Sequence, residues 1–420
     1  VRILMLTNTY LPHVGGVARS VYRVAEALRE NGHRVKVVAP EFPGESELED
    51  ADTFRVPAMQ NFNGSDFSVS LPLPGLLDGM LEEFKPELLH AHHPFLLGDT
   101  AVRLASELDL PLVFTHHTMY ERYTHYVGGH STGLKKFAIQ LSTEYANLCD
   151  HVIAPSESVA RLIKRRGVKT PISAIPTGID KHSFIVDASL DLRATLGIPA
   201  QAFLLGHIGR LAPEKNLNFL GKALAKYLAE NGEAYALVVG SGPLERRLKR
   251  IFTLAKVMDR VKFMGVLQGQ QLNQAYAAMD LFAFASRSET QGMVLAEAMA
   301  VGTPVIAVDA PGVREIVRDK TNGLLLPNQK MDAYLNALRF YGRQTAEVKK
   351  GYREAALKTA REFALDQTIL QLMAVYQGLL KSHRKGSRVK STLEPLLRRI
   401  QAEWKLLAAK ASAAGSALVG

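Results

Sequence analysis

One cysteine in 420 residues, Cys149, leaves no partner for an intrachain disulfide, so a packed core has to hold the fold. Between apolar neighbours (YANLCDHVI) it reads as a small buried hydrophobe in a reducing compartment. No run approaches the roughly 18 apolar residues that span a bilayer. The apolar part of the opening VRILMLTN is too short for a signal-peptide core and reads as a first buried strand. Any meeting with a membrane is therefore expected from the side. Internal repeats and low-complexity linkers are missing too. So is a cationic excess over most of the chain. Of the net charge of +10, the stretch from Lys381 to Lys410 holds +7, from nine Lys or Arg against two Glu. The near-neutral remainder gives no footprint for a nucleic-acid partner.

What is present is 47% hydrophobic and 22% charged residues, a globular composition at a length that suits two α/β domains. Short apolar runs alternate with helix-period segments, the signature of βα units. In the first half they predict strands at Arg2–Leu6, Arg34–Ala39, Leu88–His92, Leu112–His116, His151–Pro155 and Ile172–Ile175, and a helix over Val17–Asn31. The second half predicts strands at Phe203–Ile208, Tyr235–Val239, Val261–Met264, Leu281–Ala285, Pro304–Val308 and Leu324–Leu326. Pro176 and Gly178 punctuate the joint between them. The expected plan is an N-terminal Rossmann-like domain over 1–178 and a C-terminal one over 179–365. A helix over 366–380 returns to the first domain, and a basic amphipathic tail covers 381–420. Two doubly wound domains place a ligand crevice where the strand C-termini face each other.

The most informative stretch is SRSETQGMVLAEAMAVGTPVIA, residues 286–307. Glu289 lies in a loop at a strand end, and Glu297 falls more than a turn into a helix that starts near Gly292 or Met293. First-turn N–H groups there suit a diphosphate. A loop carboxylate can grip sugar hydroxyls, and a deeper one can accept from a ribose diol. Spacing alone leaves an ordinary strand–turn–helix with two solvated glutamates open.

The flanks extend the pattern. GRLAPEKN (209–216), VVGSGPLE (238–245), VKFMGVL (261–267), PTGID (176–180) and YLPHVGGV (10–17) accompany Glu289…Glu297 and its AEAMAVGTPVIA. Together they resemble the retaining glycosyltransferases of family 4 along nearly the whole chain. The resemblance implies an α/β fold of the GT-B kind: two Rossmann-like doubly wound domains facing a crevice, 1–178 on the acceptor side and 179–365 for the nucleotide sugar, with a helical C-terminal segment. It implies transfer of a sugar from a nucleotide-sugar donor, with retention and with neither metal nor cofactor. Catalytic roles would fall on His117, Arg210, Lys215 and Glu289. Donor-binding roles would fall on Gly15, Gly16, Gly240, Gly265, Val266, Thr290, Gln291, Gly292, Met293, Val294 and Glu297. The physics agrees, since Arg210 and Lys215 lie just past a strand end, where cations neutralise a leaving pyrophosphate. Gly15 and Gly16 let backbone approach a phosphate with no Cβ in the way.

Five histidines need sorting. His90, His92 and His93 form H-x-H-H at a strand end, but no Cys or acidic residue lies close in sequence to complete a metal site. By the resemblance, His117 lies near the transferred sugar, and His116 points to the opposite face. Asp50-Ala51-Asp52 spells D-x-D, a metal-diphosphate motif of another transferase fold, yet it sits in the acidic run ESELEDADTF and reads as solvated loop.

Thr290-Gln291-Gly292 stands where the family more commonly has Gly-Phe-Gly, and is similar to lipid-directed members that glucosylate diacylglycerol. The aromatic-rich HTMYERYTHY (117–126) would line the acceptor side with Tyr120, Tyr123 and Tyr126. UDP-glucose and a lipid acceptor are thus expected. Mannosyl or other hexosyl transfer to phosphatidylinositol, a soluble sugar or a polysaccharide stays open. So do a phosphorylase or epimerase, a glycosidase, and a sensor that binds donor without turnover. The tail predicts a helix with Leu393, Leu397, Ile400, Trp404, Leu407 and Ala411 in one stripe, bordered by cations. Contact of residues 381–411 with an anionic membrane surface, docking on the protein, dimerisation and disorder are its alternative readings. The expected location is cytoplasmic, or peripheral on the inner face of the cell membrane.

Overall fold

The apolar runs become two parallel sheets. The computed structural model describes residues 1–12, 15–42, 52–59, 69–70, 75–122, 132–187, 189–286, 289–386 and 394–418. The chain divides into two units, Val1–Gly178 with Leu365–Gly420, and Ile179–Ala364.

In unit 1 the chain runs β1 (Arg2–Leu6), α1 (Gly16–Glu30), β2 (Arg34–Pro40), β3 (Thr53–Val56), β4 (Ala58–Met59), β5 (Val69–Ser70), α2 (Asp78–Phe84) and β6 (Leu88–Ala91). It continues through α3 (Leu97–Leu108), β7 (Leu112–Thr115), α4 (Thr132–Asn147), β8 (His151–Ala154), α5 (Glu157–Arg165) and β9 (Ile172–Ala174). The seven-stranded sheet has the order β3-β2-β1-β6-β7-β8-β9. Its central strands read as unbroken apolar runs because helices cover both faces, and Ile3, Leu4, Met5 and Leu6 are all fully buried.

Unit 2 holds α6 (Leu192–Thr195), β10 (Phe203–Ile208), α7 (Leu217–Glu230), β11 (Ala234–Val239), α8 (Glu245–Leu254), β12 (Val261–Phe263) and α9 (Gly269–Ala278). Then follow β13 (Leu281–Phe284), α10 (Met293–Ala300), β14 (Val305–Val308), α11 (Val313–Ile316), β15 (Gly323–Leu326), α12 (Met331–Gly342) and α13 (Ala346–Glu362). Its sheet order is β12-β11-β10-β13-β14-β15, all parallel. The chain then returns to unit 1 with α14 (Leu365–Gly386) and α15 (Glu394–Leu418). In α14, Ile369, Leu372, Met373 and Tyr376 bury themselves against Val21, Val24 and Ile175.

Two features differ from the sequence reading. Strands β3, β4 and β5 were not expected, because an edge strand such as TFRV buries only Val56 and carries a weak apolar signal. Asp52 of D-x-D lies in the exposed turn just before β3, in keeping with a solvated loop: its carbonyl accepts from Val37 N–H and its carboxylate lies 3.8 Å from Arg29 Nε. Asp50 falls outside the described residues. Finally, α15 docks on α3 and α4 through a face other than the stripe singled out from sequence.

Candidate active site

In each sheet the winding direction reverses once, and the loops on either side of that reversal leave a crevice at the strand C-termini. In unit 2 the reversal lies between β10 and β13. The loop after β10 carries Arg210, which is exposed, and ends in a single 3₁₀ turn, Pro213–Lys215. The loop after β13 carries Glu289. The two loops meet in an ion pair, Lys215 Nζ donating to Glu289 Oε2 at 3.0 Å. Burial would raise the Glu289 carboxyl. The Lys215 charge and hydrogen bond, with the N–H groups of Gly292 and Thr290, outweigh it and hold the group below the ordinary glutamate value. Glu289 therefore stays ionised, with every donor fixed around it.

Gly292 caps α10 at φ +81°, a left-handed conformation that a side chain would strain, and turns the chain from the Glu289 loop into the helix. Gln291 is buried, and Thr290, Met293 and Val294 surround the same turn. One helical turn on, Glu297 is buried and accepts from Tyr276 Oη of α9 at 3.0 Å. At Gly240, φ is +124° and a Cβ would stand 2.0 Å from the Gly209 carbonyl oxygen, so this glycine lets the loops after β11 and β10 touch. Its N–H donates to the Gly265 carbonyl at 2.6 Å, which ties in the loop after β12, where Val266 is exposed. Arg210, Lys215, Gly240, Gly265, Val266, Glu289–Val294 and Glu297 thus lie on strand-end loops, or on the helix that follows one, at one edge of one sheet.

Sequence reasoning missed His207, buried near the end of β10. Its Nδ1 donates to the Ala283 carbonyl at 3.1 Å, which leaves Nε2 as a bare acceptor, buried and without a protein partner. Burial, with Lys215 adding to it against the hydrogen bond, lowers this imidazole to about 4.

In unit 1 the reversal lies between β1 and β6. Asn8, fully buried and also missed, stitches the two crevice loops. Its Nδ2 donates to the Phe95 carbonyl, its Oδ1 accepts from Leu97 N–H, and its own N–H donates to His93 Nδ1 at 3.1 Å. His117 follows β7, and its Nε2 lies 2.9 Å from His92 Nδ1. His116 turns the other way, against Phe114 and Tyr120. His90 is held between Tyr376 Oη of α14 at 2.6 Å and Thr115 Oγ1 at 2.7 Å. Tyr120 packs its ring on Phe95 and His116, and its hydroxyl is buried without a protein partner. The turn that carries it is fixed by Arg166, whose Nη2 donates to Glu121 at 2.7 Å. Tyr123 and Tyr126 lie outside the described residues. Gly15 is extended at φ −154° and Gly16 opens α1. A Cβ at Gly16 would meet no protein atom within 4 Å, so packing within the protein does not demand glycine there. Among the described residues, no three His, Cys, Asp or Glu converge as a metal ion requires. The cleft lined by Arg29, Arg34, Asp52 and Phe84 lies at the opposite, N-terminal ends of β2 and β3.

The buried imidazoles carry a stability consequence. Burial lowers His90 to about 3, and burial also dominates the lowering of His116 to about 4. Both are neutral in the fold, whereas the unfolded chain protonates them near 6.5. Below that value the unfolded state binds more protons, so stability is lost as pH falls from about 6.5 towards the folded values. The slope is about 1.4 kcal/mol per pH unit for each extra proton. Melting followed by circular dichroism should show Tm falling between pH 6.5 and 4.5, and falling less steeply in His90→Gln. Equal slopes in both proteins would remove His90 from this account.

Two doubly wound sheets with their functional loops at the strand C-termini define the GT-B class of glycosyltransferase. The family model "Glycosyltransferase Family 4" matches residues 14–183, and "Glycosyl transferases group 1" matches 189–358. The alpha-monoglucosyldiacylglycerol synthase of Streptococcus pneumoniae is 32% identical over 336 residues, 77% of this chain and 75% of that protein. A GDP-mannose-dependent alpha-mannosyltransferase of Mycobacterium tuberculosis is 31% identical over 78% of this chain and 84% of its own length. Among solved structures, sucrose-phosphate synthase from Thermosynechococcus elongatus superposes with a TM-score of 0.75 at 22% identity, over 91% of this chain and 100% of that one. The chain belongs to glycosyltransferase family 4.

Proposed function

We propose that this chain is a retaining, metal-independent hexosyltransferase that moves glucose from UDP-glucose to a membrane lipid, diacylglycerol being the first candidate. The Lys215–Glu289 pair at the unit 2 reversal carries the reading. The carboxylate and the lysine hold each other across the two loops. A diphosphosugar would offer phosphate oxygens to Lys215 and Arg210, and sugar hydroxyls to Glu289, so each charge gains a partner without moving far. Glu297, steadied by Tyr276, is the acceptor for ribose hydroxyls. By the family resemblance, His117 of unit 1 would act near the transferred sugar, Tyr120 on the acceptor side, and Gly15 and Gly16 would serve the donor phosphate.

Glucose and diacylglycerol are supported by Thr290-Gln291-Gly292 and by two relatives of one name, from S. pneumoniae and from Acholeplasma laidlawii, the second 25% identical over 91% of this chain. The second reading, mannosyl transfer from GDP-mannose, is supported by the mannosyltransferase relatives. A lipid acceptor places the enzyme peripherally on the inner face of the cell membrane. No helix among the described residues is long and apolar enough to cross one.

A donor-by-acceptor screen of the full chain, read by release of UDP or GDP, tests this. UDP release from UDP-glucose that depends on diacylglycerol is the expected result, and GDP release from GDP-mannose alone overturns the glucose assignment. The anomeric proton of the product, read by NMR, reports retention. Activity is expected to survive excess EDTA, because Arg210 and Lys215 meet the phosphate charge. Loss on chelation with recovery on Mn²⁺ would overturn metal independence.

A further inference from the structure

Helix α15 carries two apolar stripes on opposite faces, and only one of them is covered. Ala402, Leu406, Ala409 and Ala413 are 0–8% exposed and dock the helix on α3 and α4. Polar contacts pin the same face along its length: Glu403 to Arg103, Arg398 to Asp109, Ser106 Oγ to the Arg398 carbonyl at 2.7 Å, and Lys410 Nζ to Asp99 at 2.6 Å. At about 100° per residue, the centre of the second stripe lies roughly 170° round the helix. There Ile400 is 58%, Trp404 74% and Leu407 61% exposed, with Ala411 beside them. Leu393 lies outside the described residues, and the Leu397 side chain is not described.

Three large apolar side chains on one face of a firmly docked helix are not explained by its packing. The charge around them identifies the occupant. Lys405 is exposed one residue beyond Trp404, and no Asp or Glu occurs from 404 to 420. Glu403 itself is neutralised by Arg103. The helix sits in the most cationic stretch of the sequence, Lys381–Lys410 at +7. A Trp-centred apolar stripe within so cationic a stretch suits the headgroup boundary of an anionic bilayer.

We propose that the Ile400–Trp404–Leu407 face of α15 is the surface by which this enzyme lies on an anionic lipid bilayer. The stripe at Ala402–Ala413 fixes the protein's orientation there. Docking and membrane contact, alternatives at the level of sequence, are met by one helix using two faces. Helices α3 and α4 follow the loops that carry His92 and His117, so the helix that touches lipid is pinned to the elements that leave the acceptor side. This inference rests on the reading of unit 1 as the acceptor half.

Flotation of the full chain with phosphatidylglycerol and with phosphatidylcholine vesicles, at low salt and at 1 M salt, is the test. Wild type should float with the anionic vesicles at low salt and be released at high salt. The triple variant Ile400→Gln, Trp404→Gln, Leu407→Gln should partition at least about tenfold less. These side chains are solvent-exposed, so Tm and UDP affinity should be unchanged in the variant. Its UDP release should fall with acceptor embedded in vesicles and be retained with acceptor dispersed in detergent. Equal flotation of variant and wild type overturns the proposal. So does loss of a dimer in sedimentation with flotation unchanged, which would make the face a contact between two copies. If flotation depends on the face but no lipid is glycosylated, the surface stands and the acceptor assignment fails.

Discussion

Replacing Lys215 with alanine is expected to cut sugar transfer by about 10²–10³-fold while leaving a folded protein. Two effects add. The departing diphosphate loses a preorganised cation, and Glu289 loses the charge that keeps it ionised. Burial acts on that carboxyl in the opposite sense to Lys215, so without the lysine its affinity for protons rises. Lys215→Ala should therefore lose activity most steeply at the acid end of the pH profile, and a little Tm with it. Glu289→Gln removes the buried charge but keeps the shape, and should cost a comparable factor in turnover. The double variant should be scarcely worse than either single one, because the two groups act as a unit. Arg210 sits exposed at the end of β10 and should cost a similar factor as Arg210→Ala. Turnover by UDP release, with Tm alongside, measures all four. Rates near wild type in the three single variants would dissolve the donor site as assigned.

What was legible in the sequence follows from how far each signal reaches along the chain. Strands β1, β6, β10 and β13 are buried on both faces, so their apolar runs stand out unaided. Glu289 and Glu297 sit within one strand–turn–helix, where spacing carries the geometry. Lys215 lies 74 residues from Glu289, and only the sheet order, which sets β10 beside β13, shows that they touch. Asn8, Tyr276 and Tyr376 left no local trace. Asn8 looks like any polar residue after a strand, yet it bonds partners more than 80 residues away. Tyr276 and Tyr376 sit at apolar-stripe positions of α9 and α14, where a tyrosine reads as core until its hydroxyl is seen on Glu297 or His90. On α15 the sequence showed the stronger stripe, the one that holds Trp404. It hid the weaker alanine-rich one that decides the docking, because small residues pack helices closely without raising the apolar signal.

His117→Ala is expected to lower turnover by 10²-fold or more, on the order of losing one positioned electrostatic or proton-handling group at a reacting centre. Its neighbour His92 separates that role from mere packing. Their nitrogens are 2.9 Å apart, and burial first, then the surrounding imidazoles, keep both well below the ordinary histidine value. Both rings are thus neutral at pH 7, and exactly one proton can occupy the hydrogen bond between them. If His117 Nε2 donates, its Nδ1 carries no proton; if His92 donates, His117 Nδ1 carries it. His92 therefore fixes which face of the His117 ring accepts and which donates, the tautomer control a positioning residue exerts. His92→Ala should lower kcat about tenfold or more with donor KM little changed. His92→Asn places an amide near the lost Nδ1 and should recover much of that loss. Nitrogen chemical shifts of His117 should change tautomer balance in His92→Ala and return towards wild type in His92→Asn. A filler of cavity space would give the opposite ranking, with the apolar His92→Leu recovering activity better than asparagine. That ranking, or an unchanged kcat in His92→Ala beside an inactive His117→Ala, would sever the pair.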